Sequence, residues 1–244
     1  MFPRPAHQTK DVSPLNYPLT PFTTVQLTQK SPLDSVSTGT TLYLSSQLLT
    51  HYCQKKPPKG TQAIELGAGT GLVSIALGFL GWQVWSTDLS NVIDDVLRDN
   101  IERNRGDSLI VVQELDWCQD SWKWNRLPSG ENICDSTTAP DFDLILCADG
   151  IYARELIPPL LSTLVSLSGA RSPLILLAFE RRDAEVIDLF FEQARALGFV
   201  AKKVNLQRIL GRELARWGWA ADDYHSAEIW TIRYKPRSLD SFAQ

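Results

Sequence analysis

The stretch Thr61 to Gly71 reads Thr-Gln-Ala-Ile-Glu-Leu-Gly-Ala-Gly-Thr-Gly: a short apolar strand ends in a carboxylate, and three alternating glycines turn the chain into an amphipathic segment. Beyond the turn, Leu72, Val73, Ile75, Ala76, Phe79 and Leu80 fall on one helical face, which Gly81 closes. Gly67, Gly69 and Gly71 each permit dihedrals or an approach distance that a Cβ would forbid, so a ligand can lie directly against the main chain. Three glycines in a row of five are costly to order unless something approaches the backbone, and the rest of the chain is organised around that something.

The alternation continues downstream. Gln83 to Thr87 reads as a second strand ending in Asp88. Ser90 reads as an N-cap, with Asp94 and Asp95 suited to the positive end of a helix striped by Ile93, Val96, Leu97 and Ile101. Leu109 to Gln113 is a third strand running into Leu115-Asp116-Trp117, and residues 118–140 have no clear period and read as an irregular surface insertion. Phe142 to Ala148 and Leu174 to Phe179 are uninterrupted apolar runs, as expected of central strands buried on both faces of a parallel sheet. A helical pattern follows each; the second starts near Asp183, shows Val186, Leu189, Phe190 and Ala194 on one face, and stops at Gly198. Phe199 to Val204 and Ile229 to Tyr234 are the last two strands, separated by a polar, Trp-containing segment. The pattern predicts one α/β domain, residues 38–236, with a twisted, mostly parallel sheet, helices on both faces and an antiparallel final strand pair. Upstream, Leu44, Leu48, Leu49 and Tyr52 predict a helix ended by Lys-Lys-Pro-Pro. Residues 1–37 read as an arm, partly extended and partly disordered, with a short strand at Phe22 to Leu27, and 237–244 as a tail.

Composition narrows the function. A net charge of -4 over 244 residues argues against a general nucleic-acid binder, since phosphate-backbone affinity rests on clustered Lys and Arg. The one dense basic patch, Lys55, Lys56 and Lys59 among prolines, reads as a solvated loop. Cys53, Cys118, Cys134 and Cys147 are widely spaced and suit a reduced intracellular protein, and His7, His51 and His225 lie too far apart to suggest a metal site or a hydrolytic triad. No apolar run approaches the roughly 20 residues of a membrane span. A soluble cytoplasmic monomer is expected, with the nucleus as a second compartment.

Glu65, Asp88, Asp116 and Asp149 all fall at or just after predicted strand ends, the rim where open α/β sheets bind ligands. An acidic residue about 20 positions beyond the glycines can accept hydrogen bonds from both hydroxyls of a ribose. The dinucleotide fingerprint is nevertheless incomplete, because Leu72 stands where its third glycine belongs, and Glu65 is awkward beside a pyrophosphate. A ligand with ribose and adenine, no phosphate and a positive centre fits these charges better, and S-adenosylmethionine is such a ligand.

Glu-Leu-Gly-Ala-Gly-Thr-Gly at 65–71, Thr-Asp-Leu at 87–89, Leu-Asp-Trp at 115–117 and Asp-Leu-Ile-Leu-Cys-Ala-Asp-Gly-Ile-Tyr at 143–152 closely resemble the seven-β-strand methyltransferases, and within them methyltransferase family 16. The resemblance covers roughly Thr38 to Arg233 and implies a Rossmann-like seven-stranded sheet and S-adenosylmethionine as cofactor. It implies that Gly67, Ala68 and Gly69 wrap the methionine part, with Glu65 beside them, that Asp88 holds the ribose, and that Trp117 and Ala148 line the adenine and sulfonium side. Tyr43 stands about where members carry a tryptophan in the N-terminal helix. Characterised members are mostly protein-lysine methyltransferases that act on elongation factors, ribosomal proteins and chaperones, so a lysine of a protein, such as a translation factor, is the implied acceptor.

Asp149-x-x-Tyr152 resembles the family signature placed where the lysine enters. Asp149 is expected to position the amine and pass its proton toward solvent, and the Tyr152 ring to pack against the methylated ammonium. Glu180, in Phe-Glu-Arg-Arg, is expected at the same rim in a supporting role. Each residue has a plainer use: Asp149 as the N-cap of the next helix, Asp88 as a turn residue, Trp117 and Tyr152 as packing, Glu180 as the ion-pair partner of Arg181 or Arg182. A small amine as acceptor, or a non-catalytic cofactor-binding module, are the alternative functions.

Overall fold

Ile145 and Ile175, each fully buried, sit side by side on neighbouring parallel strands near the centre of the sheet, where the two apolar runs were expected. The structure, a computed structural model, describes residues 2–31, 38–104, 106, 109–119, 124–126, 132–136, 139–169 and 172–235. In chain order these give β1 (Leu15–Thr20), β2 (Thr23–Leu27), α1 (Leu44–Lys55), β3 (Gln62–Leu66), α2 (Leu72–Phe79), β4 (Gln83–Asp88), α3 (Ser90–Val92), a π-helical turn (Ile93–Leu97), α4 (Arg98–Asn104) and β5 (Ile110–Glu114). There follow β6 (Trp124–Arg126), β7 (Asn132–Ser136), β8 (Leu144–Ala148), α5 (Ile157–Ser168), β9 (Leu174–Glu180), α6 (Ala184–Ala196), β10 (Phe199–Lys203), α7 (Leu206–Arg216) and β11 (Ala227–Tyr234).

The main sheet has seven strands in the order β10-β11-β9-β8-β3-β4-β5. β11 runs antiparallel to both neighbours and every other pairing is parallel. Order reverses between β3 and β8, so the carboxyl ends of those two strands open the crevice where such sheets take ligands. Side chains of the sheet feed two cores. Ala63, Leu144 and Leu176 pack toward α1, α2 and α7, whereas Ile64, Ile145 and Leu177 pack toward α5 and α6.

Several local expectations are corrected. Ser90 is not an N-cap but the first residue of α3, which Leu89 caps without a side-chain hydrogen bond. Phe79 and Leu80, expected on the buried face of α2, are 50% and 39% exposed, because the helix ends at Phe79 and the chain turns outward. The polar segment before the last strand contains α7, whose Leu206, Leu210 and Leu214 recur every fourth residue and are buried. Within the 118–140 segment β6 and β7 form an antiparallel hairpin; most of its other residues lie outside those described, as do 32–37 and the 237–244 tail.

The N-terminal arm is not loose where it is described. β1 and β2 pair as a hairpin and bury Leu15, Tyr17, Leu19, Val25 and Leu27 in the core on the α1 side. Tyr17 Oη lies 2.6 Å from His51 Nε2, and His51 Nδ1 lies 2.9 Å from Gln54 Oε1. Gln54 spends its amide hydrogens on the Leu19 carbonyl, 3.0 Å away. The ring therefore donates from Nδ1 and accepts from the tyrosine at Nε2, which is the neutral imidazole. Burial pushes His51 down to about 4, against a smaller opposing pull from Gln54. A histidine held below its ordinary value supports the fold above about pH 6.5, and that support is lost as pH falls toward 4, by about 3 kcal/mol. Denaturant unfolding at pH 6.5 and pH 4.5 should thus show wild type losing on the order of 2–3 kcal/mol more than His51→Gln; parallel losses would place the His51 proton elsewhere.

Candidate active site

β3 ends at Leu66, one residue later than the strand read from sequence, and this sets the glycine turn against the crevice. Gly67, Gly69 and Gly71 all have positive φ, at 67°, 55° and 81°. A Cβ at Gly69 would stand 2.7 Å from the Gly39 carbonyl oxygen, and one at Gly71 would meet Leu97 and Ile101 at 2.8–3.0 Å. The turn is closed by its own hydrogen bonds. Ala68 N donates to the Thr87 carbonyl (2.9 Å), Gly71 N to the Ala68 carbonyl (2.8 Å), and Gly69 N to Asp88 Oδ2 (2.8 Å). Phosphate sites built on glycine loops need such amides free and pointing at the ligand. Here three of them are spent, and what the turn offers is a bare backbone surface.

That surface floors a cavity of about 470 Å³. Tyr43, Gly67, Ala68, Gly69, Asp88, Trp117, Ala148, Asp149 and Tyr152, all expected at the site, line it together. The charged groups on its wall, among the described residues, are Asp88, Asp116, Asp149 and Arg182. At the glycine end the balance is therefore acidic, which suits a cation and opposes a pyrophosphate. Asp88 holds the turn with Oδ2 and accepts from Leu89 N with Oδ1 (2.8 Å), and each oxygen keeps lone-pair capacity for a hydroxyl. Burial pushes its carboxyl up to about 6, with the two amides pulling the other way.

Two expected residues lie outside the wall. Glu65 is 1% exposed and points with Ala63 into the layer under α2, because side chains alternate along β3 and the strand continues through Leu66. Ser74 Oγ is its hydrogen-bond partner, its other oxygen has none, and burial pushes the carboxyl up to about 8. Glu180 closes β9 and is paired with Arg182 (Oε1 to Nη2, 2.6 Å) rather than facing the cavity. Asp149 is not a helix cap, since α5 begins eight residues later. It holds φ 63°, donates its amide to the Ala178 carbonyl (2.7 Å), and places Oδ2 3.0 Å from Arg182 Nη2. Burial raises the Asp149 carboxyl, with Arg182 the main opposing influence. Tyr152 is 53% exposed at the mouth. Gly150 permits this corner: a Cβ there would stand 2.3 Å from Cys147 Sγ and 3.1 Å from the Trp117 ring.

Sequence reasoning did not foresee Arg182, Thr38 or Gly39 on the wall. Arg182 carried a signal, its place two residues past a strand end, but as one of two adjacent arginines it read as surface charge. A second concavity, about 520 Å³, lies between α6 and the β10–β11 edge, touches none of the strand-end carboxylates, and mixes Arg181 and Arg195 with Asp188 and Glu192 around Phe191 and Trp230.

Glu65 gives the site a pH signature. Its folded value lies above the ordinary 4.5, so its contribution to stability is complete below about pH 4.5 and is lost as pH rises through about 8. Between pH 5 and pH 8, wild type should lose on the order of 3 kcal/mol that Glu65→Gln keeps, read from urea unfolding. Equal slopes for the two proteins would mean that Glu65 ionises normally in the fold.

Residues 34–196 match the lysine methyltransferase family. Protein N-lysine methyltransferase METTL21A of Mus musculus is 36% identical over 152 residues, which cover 60% of this chain and 61% of that one. EEF1A lysine methyltransferase 3 of Xenopus tropicalis is 29% identical over 137 residues, covering 56% and 55%. The match thus spans little more than half the length of these curated relatives. Among solved structures, a TehB-like SAM-dependent methyltransferase from Corynebacterium glutamicum shares the fold, with a TM-score of 0.50 at 18% identity over 77% of this chain and 87% of that one. The family match takes in the glycine turn, Asp88, Trp117, Asp149 and Arg182, and on that match this chain belongs to the lysine methyltransferase family.

Proposed function

We propose that this chain uses S-adenosylmethionine to methylate the ε-amine of a lysine in a protein substrate. One observation carries the reading: a single cavity joins an acidic, phosphate-averse end at the glycine turn and Asp88 to an exposed end at Asp149, Tyr43 and Tyr152. Bound S-adenosylmethionine would supply a methyl group on a positively charged sulfur. Asp88 would accept from its ribose hydroxyls, the Trp117 ring and Ala148 would flank its adenine and sulfonium side, and the bare turn at Gly67 to Gly69 would admit its methionine part.

At the other end the work is positioning. A lysine ammonium with an ordinary value near 10.4 must lose a proton before it attacks, at a cost of about 4–5 kcal/mol at neutral pH. Asp149, largely buried yet within reach of solvent through the mouth, orients the amine and takes up or relays that proton. Tyr43 and Tyr152 offer aromatic faces to the ammonium and, after transfer, to its methylated form. In-line displacement asks for little more than alignment, so orientation supplies most of the acceleration.

The half-exposed Tyr152 at the mouth favours a protein acceptor over a small amine, which a closed pocket would serve better. The names of the two relatives point the same way, one of them to EEF1A, and a translation factor is the acceptor class we favour. The same reading places the protein in the cytoplasm, with the nucleus as a second compartment, and has it act as a monomer.

Calorimetric titration with S-adenosylhomocysteine should show binding that Asp88→Ala weakens by about tenfold or more, the loss of hydrogen bonds to a charged acceptor. Asp149→Asn should bind the same ligand within about twofold yet transfer labelled methyl to extract proteins about a hundredfold more slowly. No binding by wild type at high micromolar ligand, or full transfer by Asp149→Asn, would sink the proposal.

A further inference from the structure

The features suited to a lysine ammonium already hold a guanidinium. Arg182 Nη2 lies 3.0 Å from Asp149 Oδ2 and 2.6 Å from Glu180 Oε1, and the guanidinium carbon is 5.6 Å from the centre of the Tyr43 ring. The two carboxylates are mostly shielded, with side chains 11% and 21% exposed, whereas Arg182 is 49% exposed and lines the cavity. Tyr43 also has Lys10 Nζ 5.5 Å from its centre, so this ring already attracts an ammonium of the chain at cation–π distance.

We propose that Arg182 occupies the acceptor's cation subsite in the resting protein, and that an incoming lysine must displace it to reach Asp149. The inference rests on the lysine-methyltransferase reading and deepens it. Two cations cannot share Asp149 Oδ2 without repelling each other at contact distance. Displacement is feasible because Arg182 is half in water already, and its guanidinium can be rehydrated without passing through protein. The carboxylates cannot follow it: Glu180 ends a central strand, and the Asp149 backbone is held by the hydrogen bond its amide donates to the Ala178 carbonyl.

The consequence is specificity. A free amine brings only its ammonium to the contest and meets a cation of equal charge, tethered at high effective concentration. A protein brings further contacts around the mouth, and their binding energy can be used to expel the arginine. Arg182 is therefore a specificity-determining residue that screens out small amines, and Arg182→Gln opens the subsite to them.

The test is n-butylammonium binding, followed by calorimetry on the full chain saturated with S-adenosylhomocysteine. Arg182→Gln should bind n-butylammonium at least about fivefold tighter than wild type; methylguanidinium should compete for the vacated place, and Arg182→Gln with Asp149→Asn should lose the gain. Equal or weaker binding by a folded Arg182→Gln that still takes the cofactor product would overturn the inference, and would make Arg182 a support for Asp149 instead. Should that variant not fold, the Arg182 side-chain Nε–H resonance of wild type serves: saturating n-butylammonium should shift it, and an unmoved resonance overturns the inference as well. Loss of S-adenosylhomocysteine binding by wild type would instead strike the methyltransferase reading, so the two failures are distinct.

Discussion

The carboxylate of Asp88 is placed to do two things at once, and the site depends on both. By accepting from Gly69 N and Leu89 N it fastens the glycine turn after β3 to the end of β4, across 19 residues of sequence. In the same act it takes up one of the turn's amides, Gly69 N, that would have attracted a phosphate. A turn of this composition has a generic reputation as a nucleotide loop, but hydrogen bonding decides what it can bind. With three of its donors satisfied internally, and with acidic rather than basic side chains around it, the turn discriminates by shape and by sign of charge.

The N-terminal segment is tied to that same turn. Asn100 accepts from Thr28 N (2.7 Å) and donates to the carbonyls of Thr28 (3.0 Å) and Thr70 (3.1 Å), so one buried amide clamps the arm, the π-containing helix and the glycine turn together. Gln29 does similar work nearby, accepting from Leu42 N at 2.6 Å and donating to the carbonyls of Thr9 and Val12. These bonds fix the entry to α1, and with it Gly39, whose carbonyl contacts Gly69, and Tyr43, which caps the helix at the acceptor end. The hairpin is part of the site's scaffold. Buried amides satisfied on three sides are hard to replace, because any one lost partner leaves a desolvated group.

What the sequence made legible follows from which signals are local. Period and length identified the central strands and α6, where Asp183 caps the helix through bonds to Glu185 N and Val186 N, and the glycines with their spaced carboxylates located the crevice. The arm was legible only in part: the strand read at Phe22 to Leu27 is β2, whereas the contacts that hold the hairpin down, Tyr17 to His51 and Leu19 to Gln54, join residues 34 or more apart and leave no local signal. α7 was missed because its arginines, with Gln207 and Glu213 among them, make the segment read as polar, though its leucines recur at the right spacing. Glu65 was placed at the rim on a strand boundary wrong by one residue, and in a strand one residue is the difference between a wall and an interior. Arg182 was out of reach for another reason: a surface cation and a cation seated on two carboxylates look alike in one dimension.

Taken together, the charges along the cavity form an ordered series. The glycine end presents Asp88 in low-dielectric surroundings, where burial has lifted its carboxyl to about 6 and a nearby positive ligand would draw it back down. The acceptor end presents Asp149 paired with Arg182, which Glu180 also holds from outside the wall. If Arg182 stayed in place during transfer, its charge would add to that of the sulfonium and favour a neutral amine, but it would also keep Asp149 Oδ2, the oxygen the amine needs. If it leaves, Asp149 stabilises the ammonium it receives, and the sulfonium alone is left to ease loss of the proton that Asp149 then takes up or relays. The arrangement thus trades ease of deprotonation against access, and a mobile cation at residue 182 lets one site have each in turn.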